Sequence, residues 1–208
     1  MAYLFNGSNQ YLRVNSYPQP AKPITVSARF RANTIGRFNV IASLATATST
    51  AAAIEMRTTS TNTVVAREFA GAGDDAVLGG LLSANTWYVY GAQYISGVDR
   101  RVFLGSSTAT ATGSVNATTA NTLGIGAVFF NNAASNFMAG DVAEVAIWTA
   151  QLTTDEMESL NKGFKPTRVR PQSLVFYAPL IRDANDIRNA NTLNNNNSVT
   201  ASNHPRVY

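Results

Sequence analysis

Ile24-Thr25-Val26-Ser27-Ala28-Arg29-Phe30 places apolar side chains at every second position and polar ones between them. Successive side chains of a strand point to opposite faces, so this stretch has one dry face and one wet face, as in a half-buried antiparallel strand. The same period of two recurs over Tyr11 to Val14, Phe38 to Leu44, Ile54 to Arg57, Val64 to Phe69, Trp87 to Ile95, Arg101 to Leu104, Thr122 to Ala127 and Asp141 to Trp148. Between these runs lie Asn6-Gly7-Ser8-Asn9, Gly71-Ala72-Gly73-Asp74-Asp75 and Ser96-Gly97-Val98-Asp99. Those residue types tolerate or impose tight turns. Many short strands with regular punctuation predict an all-β antiparallel sandwich or barrel.

One helix interrupts the pattern. Thr153-Thr154-Asp155-Glu156 has the spacing of a capping box, Met157 and Leu160 supply an apolar edge, and Gly163 stands where a helix ends in left-handed backbone. Beyond it, Leu174 to Leu180 reads as a further strand, and Asp183 to Tyr208 is rich in Asn and Asp. The expected division is a main domain over 1–164 and an extended C-terminal arm over 165–208 that packs on the sandwich or on a neighbouring subunit. Ser173-Leu174-Val175-Phe176-Tyr177 is too apolar to stand in water.

Composition narrows the functional classes. The 208 residues suffice for one sizeable core. Charged residues are 13% of the chain, about half the roughly 25% of an average globular protein, so hydroxyls and amides must supply the polar surface. Such a surface suits contact with protein or sugar. The net charge of +4 has one local concentration, Lys162, Lys165, Arg168 and Arg170, which reads as a solvated run at a helix end. It does not interleave with aromatics as a nucleic-acid surface does. With no cysteine, disulfides and thiolate metal sites are excluded. The opening Met-Ala-Tyr-Leu-Phe-Asn-Gly has no signal-peptide pattern and no window reaches membrane-span length, so a soluble protein made in a cytoplasm is expected.

Several segments resemble the laminin G-like branch of the concanavalin A-like lectin/glucanase superfamily. These are Leu4-Phe5-Asn6-Gly7-Ser8-Asn9-Gln10-Tyr11-Leu12, Ile24 to Phe30, Leu82-Ser83-Ala84-Asn85-Thr86-Trp87-Tyr88, Leu123-Gly124-Ile125-Gly126, and Phe137 to Trp148, with the short helix following. The resemblance spans roughly residues 3 to 161 and implies a concanavalin A-like jelly-roll β-sandwich. Arg170 to Leu180, the Asn-rich stretch and the ending Ala201 to Tyr208 resemble the C-terminal extension of laminin G-like proteins of tailed bacteriophages, which implies a virion component. Where the family usually has Asp-Glu in its last strand this chain has Ala143-Glu144, which counts against a family-type calcium site.

The chemistry of enzymes is sparse. Glycoside hydrolysis needs two carboxylates flanking the scissile bond, and no Glu-x-Asp-x-x-Glu pattern occurs. Asp141 and Glu144, three apart, are expected on opposite faces of their strand. The only histidine, His204, lies four residues from the end, where a packing role is expected ahead of a nucleophilic triad. Zinc lacks ligands, and calcium has only Asp74 and Asp75 as weak candidates in a Gly-rich turn. Binding features stand out more. Tyr88, Tyr90 and Tyr94 share one strand face opposite Trp87, Val89 and Ile95. If the latter face the core, the tyrosines form an outer stripe for a sugar ring or a protein contact; otherwise the arm covers them. Trp148 poses the same choice.

The expectation is therefore a non-enzymatic bacteriophage virion protein, a capsid decoration or cement protein made in the host cytoplasm, without cofactor. Its expected partners are phage capsid or tail proteins and further copies of itself, with no membrane and no specific nucleic acid. The alternative is a glycan-binding, lectin-like module of a tail or adhesin that recognises host glycans.

Overall fold

The structure is a computed structural model and describes residues 2–80 and 82–208. One sheet has eight strands: β1 (Ala2–Asn6), β3 (Ile24–Ala32), β8 (Tyr88–Ser96), β9 (Asp99–Leu104), β10 (Ser107–Ala111), β14 (Ala139–Trp148), β15 (Leu174–Ala178) and β17 (Thr200–Ser202). Their order is β10-β9-β8-β3-β14-β1-β17, with β15 continuing the edge of β14 beyond β1. The other sheet has seven: β2 (Tyr11–Val14), β4 (Asn39–Ala45), β5 (Ala53–Thr58), β6 (Val64–Ala70), β7 (Ala72–Leu78), β11 (Thr122–Ile125) and β16 (Asn194–Asn196), ordered β16-β2-β11-β4-β5-β6-β7. A small hairpin, β12 (Val128–Phe130) and β13 (Ala133–Ser135), turns through Asn131 and Asn132, both left-handed, as a two-residue hairpin turn requires. All pairings are antiparallel, so the architecture is the concanavalin A-like jelly-roll sandwich.

Alternate residues of both sheets make the core. Val26, Ala28 and Phe30 of β3 meet Ala42 and Leu44 of β4, Ile54 and Met56 of β5, and Val64 and Ala66 of β6. The helix α1 (Thr154–Asn161) forms with the expected capping box, Thr153 Oγ accepting from Glu156 N and Glu156 reaching back to Thr153 N. It lies on the outer face of the eight-stranded sheet, where Met157 and Leu160 cover Phe103, Ala146 and Trp148. Gly91 permits the close approach, since a Cβ there would sit 2.1 Å from the Met157 methyl.

The expected opposite placement of Asp141 and Glu144 is corrected. A bulge between Ala143 and Ala146 holds Glu144 in left-handed backbone (φ 55°), so Val142 and Val145 both point inward. Asp141 and Glu144 consequently share the outer side. They do not form an acid pair in an open cleft, because both are buried and differently held. Asp141 is bound by Arg31 and Ser202, and Glu144 accepts from Tyr177 Oη at 2.5 Å and pairs with His204 at 2.9 Å.

The segment after α1 is built into the edges of both sheets. β15 joins β14, β16 joins β2 and β17 joins β1, so it adds strands to both sheets. Arg170 grips Glu156 with two nitrogens, at 2.9 and 2.7 Å, which places one member of the basic run in an internal ion pair. The Asn-rich stretch is turn chemistry: Asn197 and Ser198 are left-handed, and the Asn195 side chain bonds both N and O of Val199. Removing residues 165–208 strips Val169, Leu174 and Tyr177 from Trp148 and leaves β1, β2 and β14 with open edges. We expect the fragment 1–164 to lose cooperative thermal unfolding by calorimetry; a fragment that melts as sharply, and at the same temperature as the full chain, contradicts this packing.

Candidate functional site: a charged cleft on the outer face of the seven-stranded sheet

Where Ile54, Met56, Val64 and Ala66 turn inward, Glu55, Arg57, Val65, Arg67 and Phe69 turn outward by the same alternation. Asp75 of β7 lies beside Arg67 in the ladder. The β12–β13 hairpin stands over this face, packing Val128 on Val40, Ala45 and Ala53, and brings Phe130, Ser135 and Asn136 to its rim. Between them lies a cleft of about 220 Å³, floored by Glu55, Arg57 and Arg67 and walled by Phe69, Phe130 and Asn136.

Its electrostatics are unusual for a chain so poor in charge. Arg57 and Arg67 each face both Glu55 and Asp75, at 3.6 and 3.4 Å and at 3.7 and 3.8 Å respectively. These pairs are looser than the 2.7–2.9 Å of charge-assisted hydrogen bonds. Glu55 Oε2, Arg57 Nε and Asp75 Oδ1 are buried and find no hydrogen-bond partner among the described residues. Burial pushes the Glu55 carboxyl above its ordinary value; Arg57 and Arg67 pull it back, and Asp75 adds to the rise. The Phe69 and Phe130 rings meet edge to face at 6.1 Å, and the Arg67 guanidinium lies over Phe69 at 5.5 Å.

The residues singled out from sequence lie elsewhere. Tyr90 and Tyr94 are fully buried on the inner face, so they form neither arrangement left open from sequence, an outer stripe or rings covered by the arm. Both faces of β8 are covered, the outer one by Met157 and its neighbours over Val89, so period alone could not orient the strand. A tyrosine suits the inner position because its ring fills the core while its hydroxyl finds a polar partner across it. Tyr94 Oη donates to the Glu55 carbonyl at 2.9 Å; Tyr90 Oη accepts from Arg57 N at 3.1 Å and donates to the Val65 carbonyl. Burial holds both phenols above their usual pKa. Tyr88, half-buried, packs on Phe30 and accepts from Ser83 N. Trp148 is outward yet fully buried beneath α1 and the arm, its Nε1 donating to the Val169 carbonyl at 2.8 Å.

Asp74 and Asp75 are neighbours on strand β7, not in a turn, and so point to opposite faces. Asp74 turns toward Arg100 and Gly113 N, Asp75 toward Arg57 and Arg67. Among the described residues no group of three His, Cys, Asp or Glu side chains could hold a metal ion. Among those residues, too, no helix is long and apolar enough to cross a membrane. Two wider depressions, of about 580 and 420 Å³, are lined by polar groups already engaged: Lys22 with Glu68 and Asn116, and Gln10 with the carbonyls of Asn197 and Ser198.

Glu55, Arg57, Arg67, Phe69 and Phe130 were not singled out as a site from sequence. The signal was present for four of them, as the polar or aromatic partners of inward Ile54, Met56, Val64 and Ala66; nothing in the chain announces that Phe130 arrives from a hairpin.

Comparison with known proteins agrees with this architecture. The family profile described as concanavalin A-like lectin/glucanases superfamily, of laminin G type, matches residues 6–158, and the chain belongs to that family. No curated protein matches it. Among solved structures it is similar to domain 4 of the extracellular arabinanase AbnA of Geobacillus stearothermophilus, in complex with arabinotriose, at 13% identity and TM-score 0.64 over 77% of this chain and 76% of that one. It is likewise similar to the heptameric pentraxin of Limulus polyphemus, at 18% and 0.62 over 77% and 81%. Tailspike protein 2 of an Escherichia coli bacteriophage matches at 14% and 0.58 over 85% of this chain and 26% of that one. At such identities the likeness is one of fold.

Two outcomes follow for stability. Tyr94→Phe leaves the Glu55 carbonyl without its buried donor and is expected to cost about 1–3 kcal/mol in urea unfolding; no loss contradicts the bridging role. For Glu55, folding raises the carboxyl pKa, so the folded chain gains a proton and stability declines as pH rises through the folded value. Glu55→Gln should flatten that decline, so that the variant loses less stability than the parent between acid and neutral pH; parallel pH profiles contradict the assignment.

Proposed function

We propose that the chain is a non-enzymatic glycan-binding module that works as a structural component of a bacteriophage virion. The observation that carries the binding reading is the cleft: aromatic rings beside loosely paired guanidinium and carboxylate groups, of which Glu55 Oε2 and Arg57 Nε are buried without a hydrogen-bond partner among the described residues. Sugar hydroxyls donate and accept at once, and sugar C–H faces stack on rings. The arabinotriose-bound neighbour supports this reading. The virion reading is supported by the resemblance of Arg170 to Tyr208 to phage extensions and by the tailspike neighbour, which favours a tail location. Capsid decoration is the second reading, supported by exposed apolar groups, Ile187 at 60% and Tyr208 at 63%, available for a shell contact.

Hydrolysis would depend on two carboxylates at one cleft, whereas Glu55 lines it and Asp75 does not, and the same two arginines hold both. A glycan array probed with the full chain should show selective binding, and Arg67→Ala should weaken it about tenfold or more. Absence of binding to every glycan contradicts the reading. Reducing-end assays on bound glycans should show no turnover, and turnover abolished by Glu55→Gln would establish an enzyme instead. Mass spectrometry of purified particles should find the protein in the virion, in many copies for decoration and few for a tail.

A further inference from the structure

We propose that the surface beyond the end of α1, formed by Phe164, Lys165, Arg168, Arg206 and Tyr208, is a docking face for an acidic patch on a different protein. It lies on the side of the sandwich that carries α1, away from the cleft on the seven-stranded sheet, so occupation of one leaves the other open.

The fold assembles this face from two parts of the chain. Lys165 and Arg168 belong to the basic run after the helix, and the returning tail brings Arg206 and Tyr208 beside them. Tyr208 N donates to the Gly163 carbonyl at 2.7 Å, and Lys165 N donates to the Tyr208 carbonyl at 3.0 Å. Gly163, at φ 100°, makes room for the tail: a Cβ there would stand 3.1 Å from the Tyr208 ring. Beneath the face Pro166 and Val169 are buried, and the tail is anchored upstream by His204 against Glu144 at 2.9 Å. The groups are therefore held in place before a partner arrives, which lowers the ordering cost of association.

Charge defines the partner. Of the sixteen Lys and Arg side chains, Lys165, Arg168, Arg182 and Arg206 alone enter no ion pair, side-chain hydrogen bond or ring contact among the described residues, and three of these four stand on this face. All three are exposed, and between them lie two large rings left in water, Phe164 at 43% and Tyr208 at 63%. Arg, Tyr and Phe are the side chains enriched where proteins meet, the rings supplying area and the guanidinium groups bidentate contacts to carboxylates. A second copy does not provide the complement. Ten of the twelve Asp and Glu side chains are engaged within the chain, leaving Asp155 and Asp183 as the acids without an ion pair or side-chain hydrogen bond among the described residues. A nucleic-acid strand is disfavoured too, because three cations neutralise too few phosphates to hold it at physiological salt.

The test is fluorescence anisotropy of the full chain with two labelled acidic peptides of equal length and charge, one with Gly and one with Leu between its glutamates, and with oligothymidylate of the same charge. The Leu peptide should bind most tightly, and its affinity should fall as salt rises. Arg168→Glu with Arg206→Glu should weaken it about tenfold or more, and Phe164→Ala with Tyr208→Ala should abolish the preference for Leu over Gly, with folding of each variant checked by circular dichroism. Binding of neither peptide, binding unaltered by the charge reversal, or tighter binding of oligothymidylate overturns the inference. So does self-association in sedimentation that the charge reversal abolishes, which would make the occupant a second copy. The probes carry no sugar, so these outcomes stand apart from the glycan-binding reading.

Discussion

Tyr90 and Tyr94 connect the two sheets by hydrogen bonds as well as by packing. Their rings rise from β8 through the core and their hydroxyls bond the backbone at Glu55, Arg57 and Val65. Most of the interior is apolar and non-directional, which fixes the distance between sheets better than their lateral register. Three hydrogen bonds from one strand to the underside of β5 and β6 supply direction. They act on the segments whose outer side chains floor the cleft, so the position of Glu55 and Arg57 depends on rings that never reach the surface. A residue pair that the sequence left between an outer stripe and rings under the arm is thus the support beneath the strand that floors the cleft.

The fold was legible because its signal is repeated. Nine separate runs of period two, several of them separated by Gly, Asn, Ser and Asp, have few solutions other than stacked antiparallel sheets. The capping box was equally readable, since Thr153 and Glu156 satisfy each other within four residues. The bulge at Glu144 was not. Nothing in Asp-Val-Ala-Glu-Val-Ala-Ile-Trp declares an inserted residue, and simple alternation then misassigns every position on one side of it. The strand β7 was missed for the opposite reason: Ala-Gly-Asp-Asp looks like a turn, and only pairing with β6 across Gly71 extends it.

The cleft was half legible. Once Ile54 and Met56 are placed inward, Glu55 and Arg57 must be outward; once Val64 and Ala66 are inward, so are Arg67 and Phe69 outward. What alternation cannot supply is which strands lie side by side, and the charges acquire meaning only through the β5-β6-β7 order that stacks Glu55, Arg67 and Asp75 across three strands. Phe130 and Asn136 depend on a hairpin fixed by two left-handed asparagines. In a chain with 13% charged residues, four ionisable side chains on one patch of one sheet are a concentration that average composition conceals. The remaining buried charges are structural: Glu68 meets Lys22 and Arg100 inside the sandwich, Asp141 meets Arg31, Glu144 meets His204 under the arm, and Asp186 accepts from the backbone N of Tyr177 and Arg188.

The measurement that addresses the central claim most directly is amide chemical-shift mapping by NMR on the isotopically labelled chain during titration with a bound glycan. The account predicts shifts concentrated at Glu55, Arg57, Arg67, Phe69 and Phe130, with the inner strand at Tyr90 and Tyr94 following through its hydroxyl contacts. Shifts confined to the opposite sheet, or to the loops around Lys22 and Asn116, would place recognition elsewhere and contradict it.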